Sequence, residues 1–208
     1  MPALSILLVT KNAMPFVAEA IAQAEACRLD FDAEVVAIDG GSTDGTRELM
    51  DAMRGWTVER QRDEGLAAAR NEALALAKGD VVAFLDADDE WLPGKTAKQL
   101  RLLKDEVELD VVSGLLKKVG PDGDGSLHPA WTPSGCLFRR RAFERVGNFD
   151  TGLRIACDHE WFMRARRAGL AMRLVEECLL HKNMHGTNLS NHRAEYRAEL
   201  LRILRSED

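Results

Sequence analysis

The sequence predicts an α/β fold, a doubly wound and mostly parallel twisted sheet flanked by helices in a single domain, and three observations carry that expectation. Short apolar runs at residues 4–9, 34–38 and 81–85 alternate with stretches of helical periodicity, which is the pattern of β-α-β units. The chain of 208 residues, 46% hydrophobic and 30% charged, is long enough for one sizeable core and has an ordinary globular composition. Each apolar run ends in a polar residue, Thr10, Asp39 or Asp86, and ligands of open parallel sheets bind beyond the carboxyl ends of strands.

In order, residues 4–9 read as a strand, Thr10-Lys11-Asn12 as a loop, and the pattern from Pro15 through Ala26 as a helix. Residues 34–38 are a second strand running into Asp39-Gly40-Gly41-Ser42-Thr43-Asp44-Gly45-Thr46, where Ser42, Thr43 or Asp44 can cap the helix that follows. Residues 56–60 make a third, weaker strand, and residues 66–78 an Ala-rich helix closed by Gly79. The strand 81–85 ends in Asp86, Asp88 and Asp89, and a helix begins near Pro93, which Asp88 or Asp89 could cap, although one cap accounts for one Asp and not three. Beyond it come a strand within 110–119, a Pro-Asp-Gly-Asp-Gly turn, a strand at 137–139 and a helix at 157–168 ended by Gly169. Residues 171–175 read as an edge strand, 177–191 show no clear period, and 193–205 form a helix with Tyr196, Leu200, Leu201 and Leu204 on one face. No repeat, low-complexity tract or linker divides the chain.

A net charge of −6 leaves no basic excess to neutralise phosphates, so a generic nucleic-acid binder is not expected. Cys27, Cys136, Cys157 and Cys178 are widely spaced with no Cys-x-x-Cys pair, which suits reduced core thiols rather than a zinc cage or a disulfide scaffold. No cationic-then-apolar leader opens the chain, and no apolar run approaches the ~20 residues that span a bilayer. The expectation is a soluble, cytoplasmic protein.

Three carboxylates at one strand end are costly unless something offsets them. Asp86 and Asp88, two apart on extended chain, point the same way, and two converging carboxylates repel unless a cation lies between them. Oxygen ligands suit Mg²⁺ or Mn²⁺. Asp39 sits beside Gly40 and Gly41, which let a ligand approach the backbone closely. The chain contains no Gly-x-Gly-x-x-Gly after its first strand and no Gly-x-x-x-x-Gly-Lys-Ser/Thr, so dinucleotide and P-loop chemistry are set aside.

Four motifs in order are more specific: Thr10-Lys11-Asn12; Val-Val-Ala-Ile-Asp-Gly-Gly-Ser-Thr-Asp-Gly-Thr over 35–46; Asp-Glu-Gly-Leu-Ala-Ala-Ala-Arg-Asn over 63–71; and Gly-Asp-Val-Val-Ala-Phe-Leu-Asp-Ala-Asp-Asp-Glu-Trp-Leu-Pro over 79–93. Together they resemble a family 2 glycosyltransferase of the GT-A fold, and the similarity runs from about residue 4 to 190. The resemblance implies a donor site for a nucleotide sugar, with Asp39 on the nucleobase, Thr10, Asn12 and Gly41 around it, and Arg70 near the nucleotide. It implies Asp86 towards the ribose, Asp88 on a Mn²⁺ or Mg²⁺ that bridges the diphosphate, and His185, less so His181, completing the metal shell. Asp158 matches the catalytic position, the base for an acceptor hydroxyl in an inverting transfer. Its spacing with Trp161, Phe162 and Ala165 puts it on the inward stripe of its helix, although a helix N-cap is the other reading; Glu160 faces Arg164 as a surface pair. The segment Gly135 to Arg139 matches an acceptor-lining stretch, with Trp131 as a stacking platform or plain core.

By the same resemblance, residues to about 110 form the nucleotide-binding half, about 111–191 the acceptor half, and 192–208 a C-terminal helix. The expected acceptor is a sugar or lipid-linked glycan of envelope or exopolysaccharide synthesis. Arg193, Arg197, Arg202 and Arg205 around an apolar stripe suit peripheral contact with the inner face of a membrane, or packing on the body or a second subunit. Two departures matter: Lys11 stands where an aromatic often stacks on the base, and Cys157 where a Glu commonly precedes the catalytic Asp. A Gln-x-x-Arg-Trp motif is absent, so single transfer is favoured over processive synthesis. The rival readings are a sugar-phosphate nucleotidyltransferase, whose Gly-rich loop after the first strand is missing here, and a catalytically idle nucleotide-sugar-binding module.

Overall fold

Residues 4–10 are buried without exception, the pattern of a strand covered on both faces, and they form the centre of the sheet. The computed structural model describes residues 3–205, apart from the side chain of Ser190. Its strands are β1 (Leu4–Thr10), β2 (Glu34–Asp39), β3 (Thr57–Arg60), β4 (Val81–Asp86), β5 (Asp89–Trp91), β6 (Val111–Val119), β7 (Leu127–Pro129), β8 (Leu137–Arg139) and β9 (Met172–Asn183). The helices are α1 (Val17–Phe31), α2 (Thr46–Asp51), α3 (Leu66–Leu76), α4 (Lys95–Asp105), α5 (Arg140–Val146), α6 (Cys157–Arg167) and α7 (Arg193–Arg205). All nine strands belong to one sheet, ordered β3-β2-β1-β4-β8-β6-β9-β5, with β7 on the side of β6. The first four pair in parallel; β8 is antiparallel to both β4 and β6, β9 is parallel to β6, and β5 closes antiparallel on β9.

Alternate residues of the central strands feed two cores. Leu7 and Val9 face α3, α5 and α6, where Phe84, Phe138, Phe143, Phe149 and Trp161 interlock edge to face or tilted at centroid distances of 4.8–6.1 Å. Leu4, Ile6 and Leu8 face α1, Met50 and Leu103 on the other side. The four cysteines are free, three buried and Cys178 half-buried. Among the described residues no helix is long and apolar enough to cross a membrane.

Four local expectations are corrected. The stretch expected as an edge strand and a segment without period is the 12-residue β9, an interior strand between β6 and β5. Register shifts against β6 at Ser113/Leu115 and Leu115/Leu116 break its alternation, which is why periodicity did not reveal it. Asp89 does not cap α4: it lies in β5, and the residue before α4 is Gly94 at φ +82°, with no side-chain cap. Gly79 does not close α3, which ends at Leu76. A Cβ at Gly79 would come within 2.8 Å of the Leu4 and Ser5 backbone, so Gly is required there by close strand packing. On α7 the inward residues are Tyr196, Leu200 and Ile203, whereas Leu201 and Leu204 are exposed.

Candidate active site

The parallel register puts three strand ends side by side: Thr10 is opposite Asp39, and Val9 is opposite Asp86. The loops that leave β1 and β2 are stitched together by the polar residues of 42–46. Ser42 Oγ accepts from the Asn12 N–H at 2.8 Å, Thr46 Oγ1 from Ala13 N–H at 2.9 Å and Asp44 from Met14 N–H at 3.0 Å, while the Thr43 N–H donates to Asn12 Oδ1 at 2.8 Å. Asp39 is 3% exposed, and its carboxylate accepts from the N–H groups of Gly41 at 3.1 Å and Ser42 at 3.2 Å, a turn that needs the positive φ of Gly41, +82°. Thr10 Oγ1 is turned onto Met50 Sδ at 3.7 Å. Asp39, Thr10, Asn12 and Gly41 therefore build the floor of one loop pair, and the Asp39 carboxylate keeps lone pairs beyond its two backbone donors.

Asp86 and Asp88 do not converge as the sequence suggested. A turn after β4 separates them, and each takes its own partner. Arg70 on α3, 2% exposed, donates from Nη2 to Asp86 Oδ1 at 2.9 Å, and its guanidinium lies 5.7 Å from the Phe149 ring centroid. Burial works against the charge of both groups, yet the mutual ion pair holds the Asp86 carboxyl below its ordinary value and Arg70 above its own. Asp88 Oδ2 instead meets His185 Nε2 at 3.1 Å and the Asn188 amide at 2.9 Å. Phe16 stacks on the His185 ring at 4.7 Å, so an aromatic from the start of α1 fixes that imidazole. His181, by contrast, pairs with Glu90 at 2.8 Å.

Asp89 is opposite Lys182 across β5 and β9, with Lys182 Nζ 3.8 Å from Asp89 Oδ1. Burial, with Asp86 and Asp88 nearby, pushes the Asp89 carboxyl up to about 7 against the pull of Lys182, and neither Asp89 oxygen has a hydrogen-bond partner. The charge of Asp89 first, and then those of Asp86, Asp88 and Asp158, hold Lys182 above the lysine range.

Asp158 lies half-buried in the first turn of α6, with Trp161, Phe162 and Ala165 of the same stripe fully in the core. Its Oδ1 accepts from the His159 N–H at 2.8 Å. The N–H groups of the segment that leads into α6 are satisfied from α7: Glu199 accepts from Arg154, Ile155 and Ala156 at 2.8–3.0 Å. These bonds, against burial, hold Glu199 below its ordinary value. Asp158 is the second residue of α6, whose N-cap is Ala156, so it is not the N-cap of the other reading, and its charge reaches Arg70, Lys182 and Tyr196. Glu160 and Arg164 form the expected pair, with Nη2–Oε2 at 2.9 Å. Trp131, half-buried, meets Phe162 edge-on at 5.8 Å and so leans on the core. Gly135 in the expected acceptor stretch has the Ala130 backbone where a Cβ would lie.

Sequence reasoning missed Lys182, Phe16 and Glu199. Lys182 was hidden by the lost alternation of β9, and Glu199 by a separation of more than 40 residues from the segment it holds ahead of α6. Among the described residues no group of three or more His, Cys, Asp or Glu side chains is arranged to hold a metal ion. Asp88 and His185 supply one oxygen and one nitrogen donor, a mixed set that fits Mn²⁺ better than Mg²⁺, which favours oxygen, when substrate oxygens and water complete the shell.

Residues 5–168 match the sequence model of glycosyl transferase family 2. An uncharacterized glycosyltransferase of Nostoc sp. is 30% identical over 185 residues, covering 76% of this chain and 57% of that protein. The succinoglycan biosynthesis protein ExoU of Rhizobium meliloti is 27% identical over 217 residues, covering 89% of this chain and 63% of that one. The chain therefore spans less than two thirds of these relatives. The fold matches the mannosyltransferase PcManGT of Pyrobaculum calidifontis in complex with GDP-Man and Mn²⁺ at a TM-score of 0.73, with 21% identity over 99% of this chain and 64% of that one. It matches S. aureus TarS 1–349 in complex with UDP-GlcNAc at 0.74, with 19% identity over 89% and 59%. The architecture is the GT-A fold.

Proposed function

The chain is a member of glycosyl transferase family 2, and from that premise we propose that it moves a single sugar from a nucleoside diphosphate sugar to an acceptor hydroxyl, with inversion and with a divalent cation. The observation that carries the reading is the meeting of Asp39, the Arg70–Asp86 pair, the Asp88–His185 pair and Asp158 around the ends of β1, β2 and β4. Complexes of GDP-Man with Mn²⁺ and of UDP-GlcNAc in proteins of the same fold support a nucleotide-sugar donor and Mn²⁺ or Mg²⁺. ExoU in succinoglycan synthesis and a putative teichuronic acid glycosyltransferase of Bacillus subtilis, 41% identical over 75 residues, support a sugar or lipid-linked glycan acceptor of envelope or exopolysaccharide synthesis.

In this reading Asp39 accepts from the nucleobase, and Asp86, held in place by Arg70, accepts from the ribose hydroxyls. Asp88 and His185 would hold the cation, which when bound offsets negative charge on the leaving diphosphate. Asp158 takes the acceptor's proton as the acceptor oxygen forms its bond to the anomeric carbon and the bond to the diphosphate oxygen breaks on the opposite face. The nucleoside diphosphate leaves with that electron pair. Holding both substrates in line supplies much of the acceleration. The exposed Leu201 and Leu204 on α7, beside Arg197 and Arg205, form the surface we assign to peripheral contact with a membrane that carries such acceptors.

The test is Asp158→Asn. Transfer should fall by about 10²–10⁴-fold, the scale of a lost general base, while calorimetry gives a nucleoside diphosphate affinity close to wild type. A variant that transfers at the wild-type rate puts the base elsewhere; a wild type that binds donor and never turns it over is an idle binding module.

A further inference from the structure

Lys182 is a feature of this basin that the family resemblance did not supply. It stands on β9 directly opposite Asp89 in β5, and Asp86, Asp88 and Asp158 are also close enough for their charges to act on it. Its side chain is 23% exposed, and its nearest acidic contact is Asp89 Oδ1 at 3.8 Å, longer than a hydrogen bond. An ammonium carries three donors. Among the described residues none of them has an acceptor within hydrogen-bond distance. The other cation of the basin, Arg70, is 3% exposed at its side chain and committed to Asp86. Lys182 is thus a fixed, solvent-reached positive charge with unused donors, set among four carboxylates beside the Asp88–His185 pair.

We propose that Lys182 is a diphosphate-binding cation of the donor site, which holds the phosphate oxygens directly and competes with a divalent cation for the Asp86–Asp88–Asp89 carboxylates. The proposal rests on the nucleotide-sugar reading above and goes beyond it, because it assigns part of the donor's charge neutralisation to the chain itself. Its physical basis is simple. A compact ammonium near a diphosphate attracts it whether or not metal is present, and the same charge repels a divalent cation approaching the same carboxylates. A lysine that served only to balance Asp89 would do neither selectively.

The experiment uses the whole chain and measures two affinities that the proposal moves in opposite directions. A panel of UDP, GDP, CDP and dTDP is titrated by calorimetry in EDTA, and Mn²⁺ alone is titrated by electron paramagnetic resonance. Lys182→Met should weaken metal-free binding of the preferred nucleoside diphosphate by about tenfold or more and tighten Mn²⁺ binding by a similar factor, the scale for removing one nearby charge at a partly solvated site. Lys182→Arg should restore both. Because Lys182→Met leaves Asp89 buried without its counter-charge, Lys182→Met combined with Asp89→Asn is measured against Asp89→Asn alone, and circular dichroism checks that each variant is folded. Metal-free affinity in the folded double variant equal to that of Asp89→Asn alone overturns the proposal, as does a loss of Mn²⁺ affinity parallel to the loss of diphosphate affinity. If the wild type binds the panel with Mn²⁺ but shows no binding in EDTA, the proposal alone falls. If it binds none of the panel even with Mn²⁺, the donor-site reading falls with it.

Discussion

At the scale of single residues, the decisive contact is the one between Arg70 and Asp86. Both are enclosed, with side chains 3% and 19% exposed, and each is tolerable only because of the other. Replacing Arg70 by Met keeps most of the volume and leaves Asp86 enclosed and unpaired, which should cost about 3–5 kcal/mol in urea unfolding at pH 7. The pH dependence has a definite sign. The folded Asp86 carboxyl lies below its unfolded value, so the stabilisation it contributes is present above about pH 4 and is lost as pH falls through the folded value. The gap between wild type and Arg70→Met should therefore narrow at pH 3; a gap that stays constant would show that the ion pair contributes nothing and that only packing on Phe149 was removed. The sequence identified both residues through their motifs but as separate ligand contacts. Their partnership spans 16 positions and two elements, and no local pattern encodes it.

At the scale of elements, α4 shows where a readable helix hides a costly residue. Its first residue, Lys95, is 1% exposed, with Nζ 4.3 Å above the Trp91 ring centroid and no hydrogen-bond acceptor. Burial pushes its pKa down to about 8. Since the unfolded chain binds that proton up to about pH 10.5, the penalty on the folded state is fully present below pH 8 and fades as pH rises towards 10.5. Lys95→Met should raise stability at pH 7 by about 1–3 kcal/mol, and Tm by about 2–4 °C per kcal/mol, with less gain at pH 10. An unchanged or lower Tm at pH 7 would mean that the cation–π contact with Trp91 outweighs burial. The helix itself was legible from its period, and so were β1, β2 and β4 from length and apolar content. Asp89 was misjudged as a cap because a carboxylate ahead of a helix has the same local signature whether it caps or lines a site. β9 was illegible because its bulges shift the phase of the alternation that identifies a strand, and with β9 went Lys182.

At the scale of the molecule, the site gathers negative charge in a chain that already carries −6. Asp86, Asp89 and Asp158 are set against the charges of Arg70 and Lys182, and Asp88 against His185, with burial pushing the Asp89 carboxyl up to about 7. A nucleoside diphosphate entering that basin is held more weakly by Lys182 alone than when further positive charge accompanies it, so donor and divalent cation should bind as a coupled pair. Coupling of this kind is read in thermal stability, because a ligand that binds only the folded chain stabilises it by about 2.7 kcal/mol at a hundred times its Kd. For a chain of this size that corresponds to a rise in Tm of about 5–10 °C. The preferred nucleoside diphosphate with Mn²⁺ should give that rise, the same nucleotide in EDTA a much smaller one, and Mn²⁺ alone a small one. Asp88→Ala, which removes the donor oxygen facing His185, should cut the Mn²⁺-dependent part and leave the metal-free part in place. Equal shifts with Mn²⁺ and with EDTA in the wild type would detach the cation from donor binding. That result would leave Lys182 as the charge that receives the diphosphate.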